Sequence, residues 1–121
     1  MRKNKINYED IDIKCRPMVR FLNSCGLTTM FSCEGHDDIV KNSFEIMFDD
    51  SVSDYQICNF LEIVSKNRTH SPVAGNFVKW ARKNNGKIIL NWMYSVAYGS
   101  YIFNQKIAHN DYEKMKTFFN A

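Results

Sequence analysis

Apolar residues recur along the chain at two spacings, three to four residues in some segments and two residues in others, which predicts alternating helices and strands. The first helical segment follows Pro17, a residue suited to the first turn of a helix. Its apolar positions are Met18, Phe21, Leu22 and Cys25. Gly26 stands where a left-handed carboxyl-terminal cap belongs, so we predict a helix over about residues 17–25.

Two strands are predicted after this helix. The short apolar and β-branched run from Leu27 to Ser32 is typical of a strand that leaves the helix through a tight turn. A polar loop is predicted over residues 34–42. Phe44, Ile46 and Phe48 then occupy alternate positions, which indicates a second strand with one buried face.

The second helix begins at a capping box. Ser53 and Gln56 have the spacing at which two side chains satisfy backbone N–H groups in the first turn of a helix. The apolar stripe that follows is Ile57, Phe60, Leu61 and Val64. We therefore predict a helix through about residue 65, followed by a loop over residues 66–76.

A β-hairpin is predicted over residues 77–82 and 87–97. Its turn contains Asn85-Gly86, a strong hairpin signal because both central positions of the tight turn need positive φ. Along the second arm the side chains alternate between two faces, one of which holds Ile88, Leu90, Trp92 and Tyr94. We expect this long strand to lie near the centre of a sheet.

A third helix is predicted near the carboxyl terminus, where Asn110 and Glu113 resemble another capping box. One face of this helix holds Tyr112, Met115 and Phe119. The order of elements favours an α+β fold, with about four strands in a mainly antiparallel sheet and helices packed mainly on one face. Residues 1–121 have the length of a single domain, in which residues 1–14 form an arm, a short strand or a turn of helix.

Composition narrows the classes of function. The chain has a formal net charge of +3, and no apolar run approaches the roughly 18 residues of a membrane span. No secretory signal is present either, so we expect a cytoplasmic protein with no membrane partner. Lys and Arg are spread along the chain, which permits an anionic ligand and makes nucleic acid an unlikely partner. Free thiols are predicted for Cys15, Cys25, Cys33 and Cys58.

The densest run of chemically capable side chains is Ser32-Cys33-Glu34-Gly35-His36. Cys33 and His36 could share a metal ion, but a stable site usually needs three or four protein ligands, so no metal site is predicted. Cys33 could also be a nucleophile with His36 as its base, or simply a small buried apolar residue. Gly35 allows close backbone approach, so ligand contact and a plain turn stand as equal interpretations. No cofactor is predicted, because neither glycine-rich nucleotide motif is present.

A nucleotide pocket needs an aromatic surface for the base and cations for the phosphates. Aromatic candidates in and after the hairpin include Trp92, Tyr98 and Tyr101, and basic candidates include Arg16 and Arg20. Aromatic residues at alternating strand positions are more often part of a core than of a binding surface. Excess aromatic surface on so small a domain also favours a homo-oligomer, in which two subunits build one pocket.

The stretch from Pro17 to His36 resembles a motif of many small phage and prophage proteins, a strand followed by Ser-Cys-x-Gly-His. It also resembles in part the wybutosine-synthesis methyltransferase family, in which a helix leads into Thr-Thr-Ser-Ser-Cys-Ser-Gly-Arg. Here His36 replaces that arginine, and Met30-Phe31 replaces a small polar pair. In its size and phage setting the chain is similar to the Thoeris anti-defence proteins, which bind and sequester nucleotide-derived immune signals.

The similarity to anti-defence proteins implies a non-catalytic protein that sequesters a cyclic nucleotide or an ADP-ribose-type signal. The predicted ligand-binding residues are Arg16, Arg20, Ser32, Cys33, Glu34, Gly35, His36, Trp92, Tyr98 and Tyr101. Two alternatives stay open. One is an enzyme that acts on a nucleotide or RNA through Cys33 and His36, and the other is an inhibitor that binds a host protein through the aromatic surface.

Overall fold

The helices and strands lie in the order that the sequence pattern predicts. A computed structural model describes residues 7–37, 41–65 and 73–120. Two short 3-10 turns, Tyr8–Asp10 and Ile13–Cys15, lead into helix α1 at Arg16–Ser24. The elements that follow are β1 Thr29–Cys33, β2 Phe44–Phe48, α2 Asp54–Ser65, β3 Asn76–Asn84, β4 Lys87–Val96 and α3 Tyr101–Phe119.

The four strands form one antiparallel sheet in the order β1-β2-β4-β3. The long strand β4 therefore lies inside the sheet, as predicted, while β1 and β3 are its edges. Pairing runs straight across three strands, since Ile46 lies opposite Tyr94 and Tyr94 lies opposite Phe77. The predicted α+β fold, with an antiparallel sheet and helices on one face, is confirmed.

The hydrophobic core lies between the helices and one face of the sheet. Phe44 and Tyr94 project from neighbouring strands, and their rings meet edge to face with centroids 6.1 Å apart. Phe21 of α1 packs against Phe60 of α2 and Phe119 of α3, at centroid distances of 6.1 Å and 5.9 Å. These ring contacts join the three helices to one another. Full burial of a large apolar side chain stabilises a fold by about 1.5–3 kcal/mol.

Gly26 ends α1 in the way that the sequence predicts. Its φ is +86°, and its N–H donates to the carbonyl oxygen of Asn23 over 3.0 Å. The N–H of Leu27 donates to the carbonyl oxygen of Leu22, also over 3.0 Å, which completes a Schellman cap. The cap turns the chain sharply into β1.

Two other local signals are confirmed. The N–H of Ser53 donates to Oε1 of Gln56 at 2.9 Å, and the N–H of Gln56 donates to Oγ of Ser53 at 3.2 Å. This reciprocal pair is the predicted capping box of α2. At the hairpin turn, Asn85 has φ +53° and Gly86 has φ +79°, the two positive values that a type I′ turn requires.

The predicted start of the third helix is wrong. Helix α3 begins at Tyr101, and Ser100 is its N-cap, with Oγ accepting a hydrogen bond from the N–H of Phe103. Asn110 lies inside this helix and caps nothing. The apolar stretch around Phe103 is helical because the hydroxyl of Ser100, ten residues before Asn110, accepts a hydrogen bond from the free N–H of Phe103.

Boundaries elsewhere shift by one or two residues. Strand β1 starts two residues after the predicted position and extends to Cys33. Predictions for residues 1–6, 38–40 and 66–72 lie outside the described residues. No helix in the described part of the chain is long and apolar enough to cross a bilayer.

Candidate functional site

Cys33 and His36 lie together at the end of β1. The Sγ atom of Cys33 is 3.7 Å from Nε2 of His36. Gly35 between them has φ +89°, and the N–H of His36 donates to the carbonyl oxygen of Lys41 over 2.8 Å. The glycine thus turns the chain so that a thiol and an imidazole come within contact distance.

Glu34 ties this turn to other parts of the fold. Its carboxylate accepts a hydrogen bond of 2.9 Å from the N–H of Lys14, and its own N–H donates to the carboxylate of Asp12 at 3.0 Å. Its carbonyl oxygen accepts a 3.0 Å hydrogen bond from Nε2 of Gln105 in α3. Glu34 therefore anchors the segment before α1, and its carboxylate is engaged there.

Ser32 lies on the opposite side of β1 from Cys33 and close to Cys15. Cys15 is fully buried, and this burial raises the pKa of its thiol to about 12. That value includes a smaller rise from the carboxylates of Asp12 and Glu34 and an opposing effect of a hydrogen bond with Ser32. The Cys15 thiol stays protonated at neutral pH, so it is a packing residue and not a nucleophile.

Two loops meet at this end of the sheet. Nδ2 of Asn104 donates to the carbonyl oxygens of Asn42 and Gly99, at 2.9 Å and 3.1 Å. Oδ1 of Asn104 accepts from the N–H groups of Tyr98 and Gly99. The structure therefore places Tyr98, and Tyr101 at the start of α3, at the same end of the sheet as the run from Ser32 to His36.

Arg16 and Trp92 each have polar partners of their own. Nε of Arg16 donates to the carbonyl oxygen of Ile11 at 2.9 Å and holds the segment before α1. The indole N–H of Trp92, near the middle of β4, donates to the carboxylate of Asp54 at 2.8 Å. Neither of these hydrogen bonds involves Cys33 or His36.

Arg20 lines an open groove between α1 and α3, which we call the α1–α3 groove. Its volume is about 610 Å³, and its lining residues are Pro17, Arg20, Phe21, Ser24, Tyr112, Lys116, Phe119 and Asn120. The guanidinium carbon of Arg20 lies 4.7 Å from the centroid of the Tyr8 ring, and Nζ of Lys116 lies 4.7 Å from the centroid of the Tyr112 ring. Two cations and an aromatic surface thus occur together in this groove.

Lys116 and the aromatic residues of the groove were not predicted as a binding surface. Tyr112 and Phe119 were recognised only as one face of a helix, and Lys116 falls between them in the sequence. The usable signal is the i, i+4 spacing of Tyr112 and Lys116, which places a cation beside an aromatic ring on a helix. A second groove of about 240 Å³ between α1 and α2 has no cation among its described lining residues.

Hydrogen bonding to Tyr112 raises the pKa of Lys116 above its ordinary value, and the Glu113 carboxylate acts in the same direction. The Lys116 ammonium is therefore charged at neutral pH. One oxygen of that carboxylate lies 3.4 Å from Nζ of Lys116. Among residues 7–37, 41–65 and 73–120, no group of three or more His, Cys, Asp or Glu side chains could hold a metal ion.

Comparison with known proteins identifies a family for this chain. The sequence model of the YoqC prophage protein family matches residues 1–118, nearly the whole chain. No curated protein and no solved structure matches the sequence or the fold. The predicted kinship with a small family of phage or prophage proteins is therefore confirmed.

Proposed function

This chain belongs to the YoqC prophage protein family, and we propose that it binds and sequesters a nucleotide-derived small molecule without turning it over. The ligand class is a cyclic nucleotide or an ADP-ribose-type immune signal, as expected of a phage anti-defence protein. The observation that carries the proposal is the α1–α3 groove, where two cations border an aromatic surface.

The groove has the size and the chemistry that such a ligand needs. Small-molecule sites commonly enclose about 300–1,000 Å³, and the α1–α3 groove of about 610 Å³ lies within that range. Tyr112 and Phe119, which are both partly exposed, supply ring surface against which a nucleobase can stack. Arg20 can pair with two phosphate oxygens at once, and Lys116 adds a second positive charge.

The lining residues favour binding over chemistry. The described residues that line the groove include no Cys, His, Asp or Glu that could act as a nucleophile or a base. The hydroxyl of Ser24 donates a 2.6 Å hydrogen bond to the carbonyl oxygen of Phe21, so it is already engaged. A nucleotide held there would meet cations and rings, and it would leave the groove unchanged.

The Cys33–His36 pair supports a second candidate function, an enzyme that acts on a nucleotide or RNA. The contact of 3.7 Å between Sγ and Nε2 is long for proton transfer but suits a pair that tightens when substrate binds. Under this alternative a Cys33→Ala or His36→Ala variant abolishes turnover and keeps its fold. Under the sequestration proposal the same variants retain full ligand binding.

Recovery of the ligand after binding separates the two functions. The purified protein is incubated with ADP-ribose or a cyclic dinucleotide, freed of excess ligand by gel filtration, and heated to release what it holds. Sequestration predicts the ligand in unchanged form by mass spectrometry, in a near-stoichiometric amount. A chemically altered product would support the enzyme, and no retention of any of these ligands would contradict the proposal.

The Glu113→Gln variant gives a sharper control. The Glu113 carboxylate competes with a bound phosphate for Lys116, since it lies 3.4 Å from Nζ. The neutral amide of glutamine keeps the same shape and removes that competition. We therefore expect the ligand to bind about three times more tightly, a gain of about 0.7 kcal/mol. Weaker binding by this variant would mean that the phosphates do not lie beside Lys116.

A further inference from the structure

One aromatic ring lines two grooves. Phe119 of α3 borders the α1–α3 groove and also the smaller groove of about 240 Å³, which we call the α1–α2 groove. The two grooves also adjoin along the chain at the end of α1, where Ser24 lines the first and the next residue, Cys25, lines the second. A ligand in one groove can therefore extend past Phe119 into the other.

The two grooves differ in charge. Arg20 and Lys116 border the α1–α3 groove, whereas the described lining of the α1–α2 groove contains no Lys, Arg, Asp or Glu. The thiol of Cys25 adds no charge either, because burial raises its pKa above the ordinary 9.0 and it stays protonated at neutral pH. A ligand that fits both grooves thus has one strongly anionic part and one uncharged part.

The α1–α2 groove matches a nucleobase in size and surface. Sites that enclose a whole drug-sized ligand occupy about 300–1,000 Å³, so a groove of about 240 Å³ suits a fragment such as one base. Tyr55 lines this groove and is 76% exposed, so most of its ring surface is available for stacking. In the α1–α3 groove, by contrast, Phe21 is buried and the ammonium of Lys116 already lies over the Tyr112 ring.

Side-chain amides supply polar groups for the edge of a base. Asn59 lines the α1–α2 groove from an exposed position of α2, and its amide offers a donor and an acceptor side by side. That pair matches N6–H and N7 of adenine, which asparagine binds through two hydrogen bonds. Gln56 lines the same groove, and its Oε1 accepts from the N–H of Ser53. The NH2 group of Gln56 adds a further donor.

We propose that the α1–α2 groove is the base subsite of the ligand site, and that the ligand is an adenosine diphosphate compound of the ADP-ribose type. Adenine stacks on Tyr55 and Phe119 and pairs with Asn59. Its two phosphates reach into the α1–α3 groove, to Arg20 and Lys116. This assignment rests on the proposed function, because it needs a nucleotide in the α1–α3 groove.

The same arrangement disfavours a cyclic dinucleotide. Riboses separate the two phosphates of such a ligand, and each ribose carries a base, so two bases need two stacking surfaces. The α1–α2 groove has room for one base. The second base would lie in the α1–α3 groove, where the ammonium of Lys116 covers the Tyr112 ring. The two grooves therefore select a ligand with one base and adjacent phosphates.

Titration calorimetry with ADP and with inorganic pyrophosphate separates the two subsites, because pyrophosphate has the phosphates of ADP without its base. Tyr55→Ala and Asn59→Ala should each weaken ADP binding about fivefold or more, the usual effect of losing one base contact. Both variants should bind pyrophosphate as the wild type does. Arg20→Ala should weaken the binding of both ligands, since it removes a cation from the phosphates.

Phe103→Ala and Asn110→Ala are the matched controls. Phe103 is an exposed aromatic residue and Asn110 is an exposed asparagine, both on α3, and neither lines either groove. Their dissociation constants for ADP should equal that of the wild type. Circular dichroism confirms that each variant is folded.

Thiol labelling tests the base subsite without any substitution. Cys25 lines the α1–α2 groove, whereas Cys58 is exposed and lines neither groove. With ADP at about ten times its dissociation constant, alkylation of Cys25 by N-ethylmaleimide should slow about tenfold, since only the free protein reacts. The rate at Cys58 should not change, and pyrophosphate should not protect Cys25. Mass spectrometry of the digested protein measures both rates.

Several results would overturn this assignment. If Arg20→Ala weakens ADP binding while Tyr55→Ala and Asn59→Ala do not, the base lies elsewhere and the proposed sequestration stands. Tighter binding of a cyclic dinucleotide than of ADP would contradict the ligand class and would also leave sequestration in place. If ADP, ADP-ribose and cyclic dinucleotides all fail to bind, the proposed function fails together with the base subsite.

Discussion

The hydroxyl of Tyr94 donates a hydrogen bond of 2.6 Å to the carboxylate of Asp111, and both side chains are buried. The same carboxylate accepts 2.8 Å hydrogen bonds from the N–H groups of Ala74 and Gly75. Burial, followed by the charge of Asp111, raises the pKa of Tyr94 well above its ordinary value. The neutral hydroxyl of Tyr94 thus links β4 to α3. The backbone N–H groups of Ala74 and Gly75, just before β3, bind the same Asp111 carboxylate.

Asp111→Asn should destabilise the fold by about 2–4 kcal/mol, because an amide has one acceptor oxygen for three donors. The milder Tyr94→Phe variant removes one donor and keeps the ring, so we expect a loss of about 1–2 kcal/mol. Urea unfolding monitored by circular dichroism measures both. Equal losses for the two variants would mean that the backbone N–H groups do not depend on Asp111.

Gly35→Ala should cost about 2–3 kcal/mol of the free energy of unfolding. Gly35 has φ +89°, and a Cβ atom there would lie 2.7 Å from the carbonyl oxygen of Asn42. Gly86 is the matched control, since its φ is +79° but a Cβ atom would meet nothing within 4 Å. Gly86→Ala should therefore cost only about 1 kcal/mol, and equal losses in thermal unfolding would contradict the predicted clash.

Stability should fall as the pH rises above 9, because the pKa of Cys15 is about 12 in the folded chain against an ordinary 9.0. Below pH 9 the thiol is protonated in both states, whereas above it only the unfolded state loses the proton. The loss amounts to about 1.4 kcal/mol per pH unit and ends near the folded pKa. Tyr94 adds to it above about pH 10.

Urea unfolding of wild type and Cys15→Ala at about pH 7.5 and pH 10.5 checks this dependence. Cys15→Ala should reduce the alkaline loss by about 2 kcal/mol, the share that 1.5 pH units represent. Cys58→Ala is the control, since Cys58 is exposed. This variant should lose as much stability between the two pH values as the wild type does. An unchanged alkaline loss in Cys15→Ala would exclude that thiol as the cause.

Ser100→Ala should destabilise the chain by about 1 kcal/mol, because Oγ of Ser100 accepts the N–H of Phe103 at the start of α3. Asn110→Ala is the control, because Asn110 is the wrongly predicted N-cap and lies at an exposed position inside α3. This substitution should change the free energy of unfolding by less than about 0.5 kcal/mol. Chemical unfolding separates the two. A larger loss for Asn110→Ala would restore the predicted capping box.

Local signals predicted much of the fold. The alternation over residues 44–48, the Asn85-Gly86 turn and the glycine after α1 each act within a few residues, so their physics is present in the sequence itself. The start of α3 was missed because Ser100 and Asn110 are both competent caps. Choosing between them requires the tertiary contacts of Asn104, which is fully buried and bonds to two loops.

Local sequence signals do not predict the α1–α3 groove. Arg20 and Lys116 are separated by most of the chain, and tertiary packing, including that of Phe21 against Tyr112 and Phe119, brings their helices together. The Cys33–His36 contact was predictable, because three residues and a glycine limit how far apart the two side chains can lie. The Cys33–His36 contact joins residues that are close in the sequence, whereas the α1–α3 groove joins residues that are far apart in it.

The central claim is that a nucleotide-like ligand binds in the α1–α3 groove, and titration calorimetry with ADP-ribose or a cyclic dinucleotide tests it most directly. Arg20→Ala and Lys116→Ala should each weaken binding at least tenfold, about 1.4 kcal/mol, because each removes a charge from the phosphate site. Lys114→Ala, an exposed lysine of the same helix outside the groove, should leave the dissociation constant unchanged. Binding that survives both groove variants but is lost in His36→Ala would contradict the claim.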